Sequence, residues 1–449
     1  MMSCKKMLLG ISLLVGGYCQ GSVYYNARDY TRSYLPMSGG SGVVLTADSP
    51  SVAQIIASSQ TPATWAVNAR KGVAGYINQL IGTAPDAINA MVVAPNGTFT
   101  VVGSSTSGLT TNSTMIRYGA SGALDTSFNS MGYAFFDLAS GANDSLTSVC
   151  FDASGQGYYV GANLVTAVRG AVAHVTSAGA LDTSFGTAGL FTSGYFTVSG
   201  VALQSTGGIV YTGQNSGAGT FFVDRLTSAG IADASFTAYT NNATMSSAGI
   251  AVDSQGRIIV VGGLVGTLYV YRFLPNGGLD TTFNGTGWYS LATSQGRAVA
   301  VLPDDSIVVA GCNNTATLFK VVKLTSAGIL DITFGAGTGI VTFPFGGLVT
   351  VTARAITLLP SGQIAVSGQS NGFFAIMLLN SDGSLDTTFT IPGQTTTPGT
   401  AVFQIGGVSS ILYASGYQNI ADSGLVVAGT TGVVAQVGAV FYTNAGVSS

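Results

Sequence analysis

Short runs of β-branched and apolar residues recur along the chain, and each closes on a glycine. Ile258-Ile259-Val260-Val261-Gly262 and Ile307-Val308-Val309-Ala310-Gly311 are two of them. The runs are continuous, whereas the strands of an outer-membrane barrel should alternate over about ten residues. The closing glycine occurs at Gly103, Gly161, Gly213, Gly262, Gly311, Gly368 and Gly429. Six residues upstream stands a turn residue: Gly97, Gly155, Gly207, Gly256, Asp305, Gly362 and Ser423. Thirteen residues upstream stands a small one: Ala90, Ser148, Gly200, Gly249, Ala298, Ala355 and Gly416. Downstream comes a second, polar signal. It reads Leu124-Asp125-Thr126-Ser127-Phe128, and returns around Asp182, Asp233, Asp280, Asp331 and Asp386, at intervals of 47 to 57 residues.

A period of this length makes each repeat one supersecondary unit. The unit reads as strand, tight turn, strand, loop, strand, turn, with Gly and Asx in the turns and Val, Ile, Tyr and Phe in the strands. Repeats of ~50 residues with several antiparallel strands fit a propeller blade. The small residue fits crowding where innermost strands converge on the axis. The expected fold is therefore all-β, a seven-bladed β-propeller over residues 87–449. Residues 22–86 lack the pattern. They are expected to supply a strand that closes the incomplete seventh blade, with Val43-Val44-Leu45-Thr46 as one candidate, while 51–58 and 75–81 read as short helices. Residues 1–21 read as a secretory signal. Lys5 and Lys6 precede the apolar stretch Met7–Gly17, which is shorter than the ~20 residues a membrane span needs. Cleavage fits after Cys19 or Gly21, and Tyr18 before Cys19 argues against lipidation.

Composition narrows the chemistry. Charged residues are 7% of the chain, all 18 acids are aspartate, and His174 is the single histidine, against 63 glycines. No multi-histidine metal site and no paired Glu acid–base site can be built from this set. A net charge of −3 at pH 7 also excludes a basic nucleic-acid surface. No cofactor motif is present, since no Gly-Lys-Ser/Thr follows the glycine-rich strings. Asp304-Asp305 is the only adjacent carboxylate pair and falls in a hairpin turn. An oxidising compartment would permit a disulfide between Cys150 and Cys312, but cysteines this far apart are more often unpaired small core residues.

These residues resemble the delta-60 repeat family of bacterial proteins. The matches are the phrases Gly179 to Gly186 and Gly328 to Gly335, the hairpin Gln255 to Gly262, and the strand Tyr271 to Asp280. The resemblance extends over nearly all of 87–449. Departures are Ala232 in place of leucine and the hairpin variants Gln255-Gly256-Arg257 and Ser361-Gly362-Gln363. It implies a propeller-like β repeat in exported or surface proteins and no known activity.

Eight residues before each phrase aspartate stands Arg117, His174, Arg225, Arg272, Lys323 or Leu378. Five of these six are basic, so His174 reads as an eroded structural cation rather than a catalytic base. The expectation is a strand-to-turn pairing of Arg117 with Asp125, His174 with Asp182, Arg225 with Asp233, Arg272 with Asp280 and Lys323 with Asp331. Each aspartate would also close an Asx-turn. One carboxylate per blade falls short of the six to eight oxygens calcium takes. The phrase phenylalanines are expected to pack between blades, and Trp288 is a better candidate than Trp65 for an exposed aromatic contact. Segments 104–114, 214–220, 263–267, 312–317 and 369–372 follow the repeat glycine and differ between copies. They are expected to form a recognition face. The functional expectation is a non-enzymatic, exported or surface-displayed module that binds a protein or glycan and meets the membrane only during export. The alternatives are a self-associating envelope or matrix protein and, last, an outer-membrane β-barrel suggested by the positive mean hydropathy.

Overall fold

In the computed structural model, residues 86–107, 110–139, 143–165, 167–215, 220–264, 266–345, 350–389, 397–403, 410–418, 424–431 and 436–444 are described, together with four N-terminal strands. The signal segment lies outside them. The N-terminal strands are β1 (Val43–Thr46), β2 (Val52–Ile55), β3 (Trp65–Val67) and β4 (Tyr76–Gln79).

Six four-stranded antiparallel sheets follow in chain order, each built outward from its first strand. The first holds β5 (Asp86–Val93), β6 (Phe99–Ser107), β7 (Thr110–Tyr118) and β8 (Tyr133–Phe136). The second holds β9 (Asp144–Phe151), β10 (Tyr158–Leu164), β11 (Arg169–Val175) and β12 (Leu190–Thr192). The third holds β13 (Gly200–Leu203), β14 (Ile209–Asn215), β15 (Thr220–Leu226) and β16 (Tyr239–Thr244). The fourth holds β17 (Ser246–Val252), β18 (Ile258–Leu264), β19 (Thr267–Phe273) and β20 (Trp288–Ala292). The fifth holds β21 (Ser294–Val301), β22 (Ile307–Asn313), β23 (Phe319–Leu324) and β24 (Ile340–Phe343). The sixth holds β25 (Val351–Leu358), β26 (Ile364–Ser370), β27 (Phe373–Leu379) and β28 (Thr400–Phe403). The C-terminal strands are β29 (Ser410–Gln418), β30 (Gly424–Thr431) and β31 (Gln436–Asn444).

The molecule is an all-β propeller with six four-stranded blades. Seven like blades were expected, and that expectation is corrected here. The remaining place in the circle holds a five-stranded sheet, β29-β30-β31 with β3 and β4 both paired to the free edge of β31. The physical reason is pairing across the chain: among the described residues no strand follows β31, and its outer edge is taken up by strands of the N-terminal segment. The strand proposed for that role, Val43–Thr46, instead forms a separate hairpin with β2. The segments 51–58 and 75–81, read as helices, contain strands β2 and β4.

The innermost strands β5, β9, β13, β17, β21, β25 and β29 touch one another in succession, and β29 returns to β5. Apolar clusters fill the wedges between sheets. One joins Phe374 and Leu378 of the sixth blade to Leu412, Leu425 and Val427 of the five-stranded sheet. Another joins Val426 and Ala428 of that sheet to Phe99, Val101 and Tyr118 of the first blade. The core is thus a set of inter-blade layers, which explains the continuous apolar runs: both faces of β6, β10, β14, β18, β22 and β26 are covered.

The repeat glycine faces an irregularity in the innermost strand. In β5, β17, β21 and β25 the register shifts around an extra residue, Asn89, Ala248, Arg297 and Arg354 respectively, opposite Gly103, Gly262, Gly311 and Gly368. A Cβ at these glycines would strike the carbonyl of Ala87, Ser246, Gln295 or Thr352. In the last copy the bulge lies between Leu412 and Ala414, with Leu412 opposite Gly429. Its small residue is therefore Ala414 in register, not Gly416, because the β29–β30 ladder runs one residue pair further before its turn than β5–β6 does. Gly262→Ala is expected to cost about 3 kcal/mol, since backbone must move. Gly155→Ala, at φ 69° with nothing within 4 Å of the new Cβ, should cost about 1 kcal/mol. Urea unfolding of the two variants measures both, and equal losses would rule out the carbonyl as the constraint.

Candidate functional site

Antiparallel order puts two kinds of connection on opposite sides of the ring. The first-to-second-strand turns and the phrase turns lie on one face. The second-to-third-strand hairpins and the links to the next blade lie on the other.

On the first face, the slot residues and phrase aspartates meet. Arg117 Nε donates to Asp125 Oδ2 at 2.9 Å, Arg225 Nε to Asp233 at 2.9 Å, and Arg272 Nε to Asp280 at 2.7 Å. Lys323 Nζ lies 2.9 Å from Asp331. His174 Nδ1 lies 2.9 Å from Asp182, and its Nε2 lies 3.2 Å from Asp152. The other carboxylate oxygen of each aspartate takes the backbone N–H and hydroxyl two residues on, as Asp125 does with Ser127 at 3.1 and 2.7 Å. These are Asx-turns, and they leave no oxygen of the phrase carboxylate aimed at a cation site. Among the described residues no cluster of three or more His, Cys or Asp could hold a metal ion.

The cation reaches further than sequence spacing shows. Arg117 Nη1 donates to Ser177 O at 2.6 Å and Arg225 Nη1 to Pro275 O at 2.8 Å, both in the following blade, and Arg272 bonds Ser326 O likewise. Each guanidinium also lies over its own phrase phenylalanine, 4.8 Å from Phe128 and Phe236 and 4.6 Å from Phe283. The phenylalanine rings are buried and lie against a positive-φ glycine of the next blade. A Cβ at Gly230, Gly277, Gly328 or Gly383 would enter the ring of Phe185, Phe236, Phe283 or Phe334. Backbone bonds cross the same seam: Asn129 N to Ala178 O, Gly186 N to Ala229 O and Asn284 N to Ala327 O, each 2.8 Å. The phrase is a latch between blades.

Two copies depart from the rule. Leu378 leaves Asp386 without a cation, and Gln363 of the neighbouring hairpin turn donates to it instead. His174 is shorter than arginine, and Asp152 occupies the space beyond its Nε2. Asp304-Asp305, set aside as a turn, holds a second seam. Asp305 accepts from Ser254 N at 3.0 Å, Ser254 Oγ at 2.9 Å, Gln255 Nε2 at 3.1 Å and Arg257 Nη2 at 3.3 Å, all in the preceding blade. It does so at φ 61°, where five of the other six copies carry glycine. Its place at the glycine position was the sequence signal for such a role.

The opposite face is leaner than expected. Residues 104–107 and 110–114 belong to strands β6 and β7, so the segment 104–114 is ladder rather than loop. Only two residues separate β26 from β27. The turn 314–318 is ordered by Asn313, whose Oδ1 accepts from Thr317 N and Leu318 N at 2.8 and 3.0 Å. Residues 216–219 lie outside the described residues. Trp288 is half-buried against Tyr269 and Tyr271 and is part of the inter-blade core; the side chain of Trp65 lies outside the description. Cys150 and Cys312 are free thiols.

The hydrogen bonds of Ser184, on hydroxyl and backbone, and then His174 hold the Asp182 carboxyl below the usual range. For Asp331 the Thr333 hydroxyl does most, against burial, with Lys323 adding to it. At Asp280 burial pulls upward, but Thr282 and Arg272 outweigh it and the net shift is down. Depressed carboxylates contribute stability that is full above the unfolded-state value of ~3.9 and is lost as pH falls through the folded values. Acid unfolding should therefore begin only below about pH 4, and substituting asparagine at Asp182, Asp280 and Asp331 should flatten the curve there. Arg272 and Asp280 are the least exposed pair, with side chains 3% and 5% exposed. Arg272→Ala is expected to cost about 3 kcal/mol, Arg117→Ala about 1 kcal/mol, and His174→Arg to be tolerated. A damaging His174→Arg beside a neutral Arg272→Ala would overturn the common slot.

A family model described as "Domain of unknown function (DUF5122) beta-propeller" matches residues 254–283 and 359–389. Each match runs from a hairpin turn through the slot strand to the phrase phenylalanine. No curated protein sequence matches the chain. Among solved structures, the WD40 β-propeller domain of Doa1 is similar at 15% identity, over 81% of this chain and 97% of that one, with a TM-score of 0.46. Sqt1 from Chaetomium thermophilum is similar at 15% identity over 79% and 83%, with a TM-score of 0.45. Virginiamycin B lyase from Staphylococcus aureus is similar at 10% identity over 82% and 98%, with a TM-score of 0.49. Likenesses this distant carry no argument about function. On its own blades and on the two matched segments, the chain is a β-propeller repeat protein.

Proposed function

We propose that the chain is a non-enzymatic interaction module of the delta-60 repeat type, exported through its N-terminal signal and displayed at the cell surface. The observation that carries the reading is the division of labour between faces. Repeated chemistry is consumed in latches on the phrase face, and the phrase carboxylates are taken up by hydrogen bonds. The opposite face carries hairpin ends that differ from blade to blade, such as Thr106 and Thr111, Asn313 to Thr317, and Asn371. A surface of short, polar, dissimilar turns on a rigid scaffold suits recognition of a protein or glycan.

Self-association is the second reading, favoured by apolar side chains on the phrase face. Ile231, Ile329 and Ile332 are 62%, 59% and 70% exposed. Isolated apolar residues are common on surfaces, and three spread over the third and fifth blades are fewer than a dimer core needs.

The test is affinity capture with residues 22–449 as bait against envelope proteins and cell-surface glycans. The control carries exchanged residues at 312–317 and 371–372. Capture that disappears in the control is the expected result. Capture unchanged by the exchange moves the site off this face. No capture, with a mass that grows with concentration by light scattering, replaces the reading by self-association.

A further inference from the structure

Most basic residues of the ring are paired with a carboxylate. Arg117, Arg225, Arg257, Arg272 and Lys323 each lie within 3.3 Å of an aspartate. Arg297 and Arg354 meet no carboxylate among the described residues. Both are half-buried, and the Nε of each is buried without a hydrogen-bond partner. An unmet donor on a charged group is costly, and two such groups side by side repel each other.

Their placement is equivalent. Arg297 is the extra residue of the bulge in β21, and Arg354 is the extra residue of the bulge in β25, on innermost strands that pack against each other. In the first and second blades the bulge residue is satisfied by the next blade. Asn89 Nδ2 donates to Ser145 Oγ at 3.0 Å and Leu146 O at 2.6 Å, and Thr147 Oγ1 donates to Val198 O at 2.7 Å. At the fifth and sixth blades this self-satisfaction fails. Arg297 Nη2 has one long bond, 3.4 Å, to Gln295 Oε1. The Arg354 guanidinium carbon lies over the ring of Tyr413, the next bulge residue, 4.7 Å from its centroid. Stacking uses the face of a guanidinium and leaves its in-plane N–H edge for an acceptor. A third cation comes from β23, two strands out from β21, where Lys320 Nζ donates to Ser294 Oγ of β21 at 2.6 Å.

We propose that Arg297 and Arg354 form an oxyanion-binding site at the axis of the ring. The ligand class is a small molecule or side group carrying a carboxylate or a phosphate, whose paired oxygens match the fork of a guanidinium. This site is independent of the recognition face proposed above.

The full chain is titrated with inorganic phosphate and separately with malonate, at constant ionic strength held with sodium chloride, by calorimetry and thermal unfolding. Saturable binding near one ligand per chain, with a raised unfolding temperature, is the expected result. Stronger phosphate binding assigns a phosphorylated ligand, and stronger malonate binding a carboxylate one. Arg297→Gln and Arg354→Gln are each expected to weaken binding by about tenfold or more, while the exposed Arg169→Gln leaves it unchanged. Arg354→Lys keeps the charge without the fork, serves if Arg354→Gln fails to fold, and should weaken binding several-fold. No saturable binding of either anion, or binding unchanged in the Arg297 and Arg354 variants, overturns the site.

Discussion

Blades of a propeller do not share hydrogen-bonded edges, so the ring depends on what crosses the seams between them. Here the crossing is made by a layered contact. A phenylalanine ring lies on a glycine of the next blade, a guanidinium covers the ring, and an aspartate holds the guanidinium while closing its own turn. Burial of each phenylalanine contributes roughly 1.5–3 kcal/mol, and the cation adds direction by bonding a carbonyl beyond the seam. The same few atoms thus close a turn, fix a strand end and join two sheets.

That economy explains the composition. With one carboxylate and one cation engaged per blade, few charged residues are left over. Where the latch is altered, another residue takes the load: Gln363 for the missing cation beside Asp386, and Asp152 beyond the shorter His174. Asp305 shows the cost accepted for such a bond, since it holds a left-handed backbone that the other blades give to glycine. Against this background the unmet donors of Arg297 and Arg354 stand out, because the chain elsewhere leaves no arginine of a latch without its acceptor.

Closure follows a different logic. Repetition can extend a ring but cannot end it, and the five-stranded sheet ends it by drawing β3 and β4 from the N-terminal segment to the edge of β31. Gln418 then bonds Gly97 O across the junction, as Gln204 bonds Gly256 O at 2.7 Å between the third and fourth blades. The junction thus shares one contact with the seam between the third and fourth blades.

Much of this was legible in the chain. The repeat glycine, the small residue before it, the cation slot and the phrase are local patterns, because turn chemistry and strand burial act within one blade. Periodicity also showed that His174 belongs with the arginines. The tertiary structure decided what depends on residues far apart in sequence. Which N-terminal segment pairs with β31, why Gly311 cannot carry a Cβ, what Asp305 bonds, and that Arg297 and Arg354 become neighbours are all consequences of bringing adjacent blades together. The pairing of β3 and β4 was hidden because segments of three or four residues carry too little pattern to distinguish strand from helix. The bulge was hidden because an extra residue in a strand is visible only against its partner.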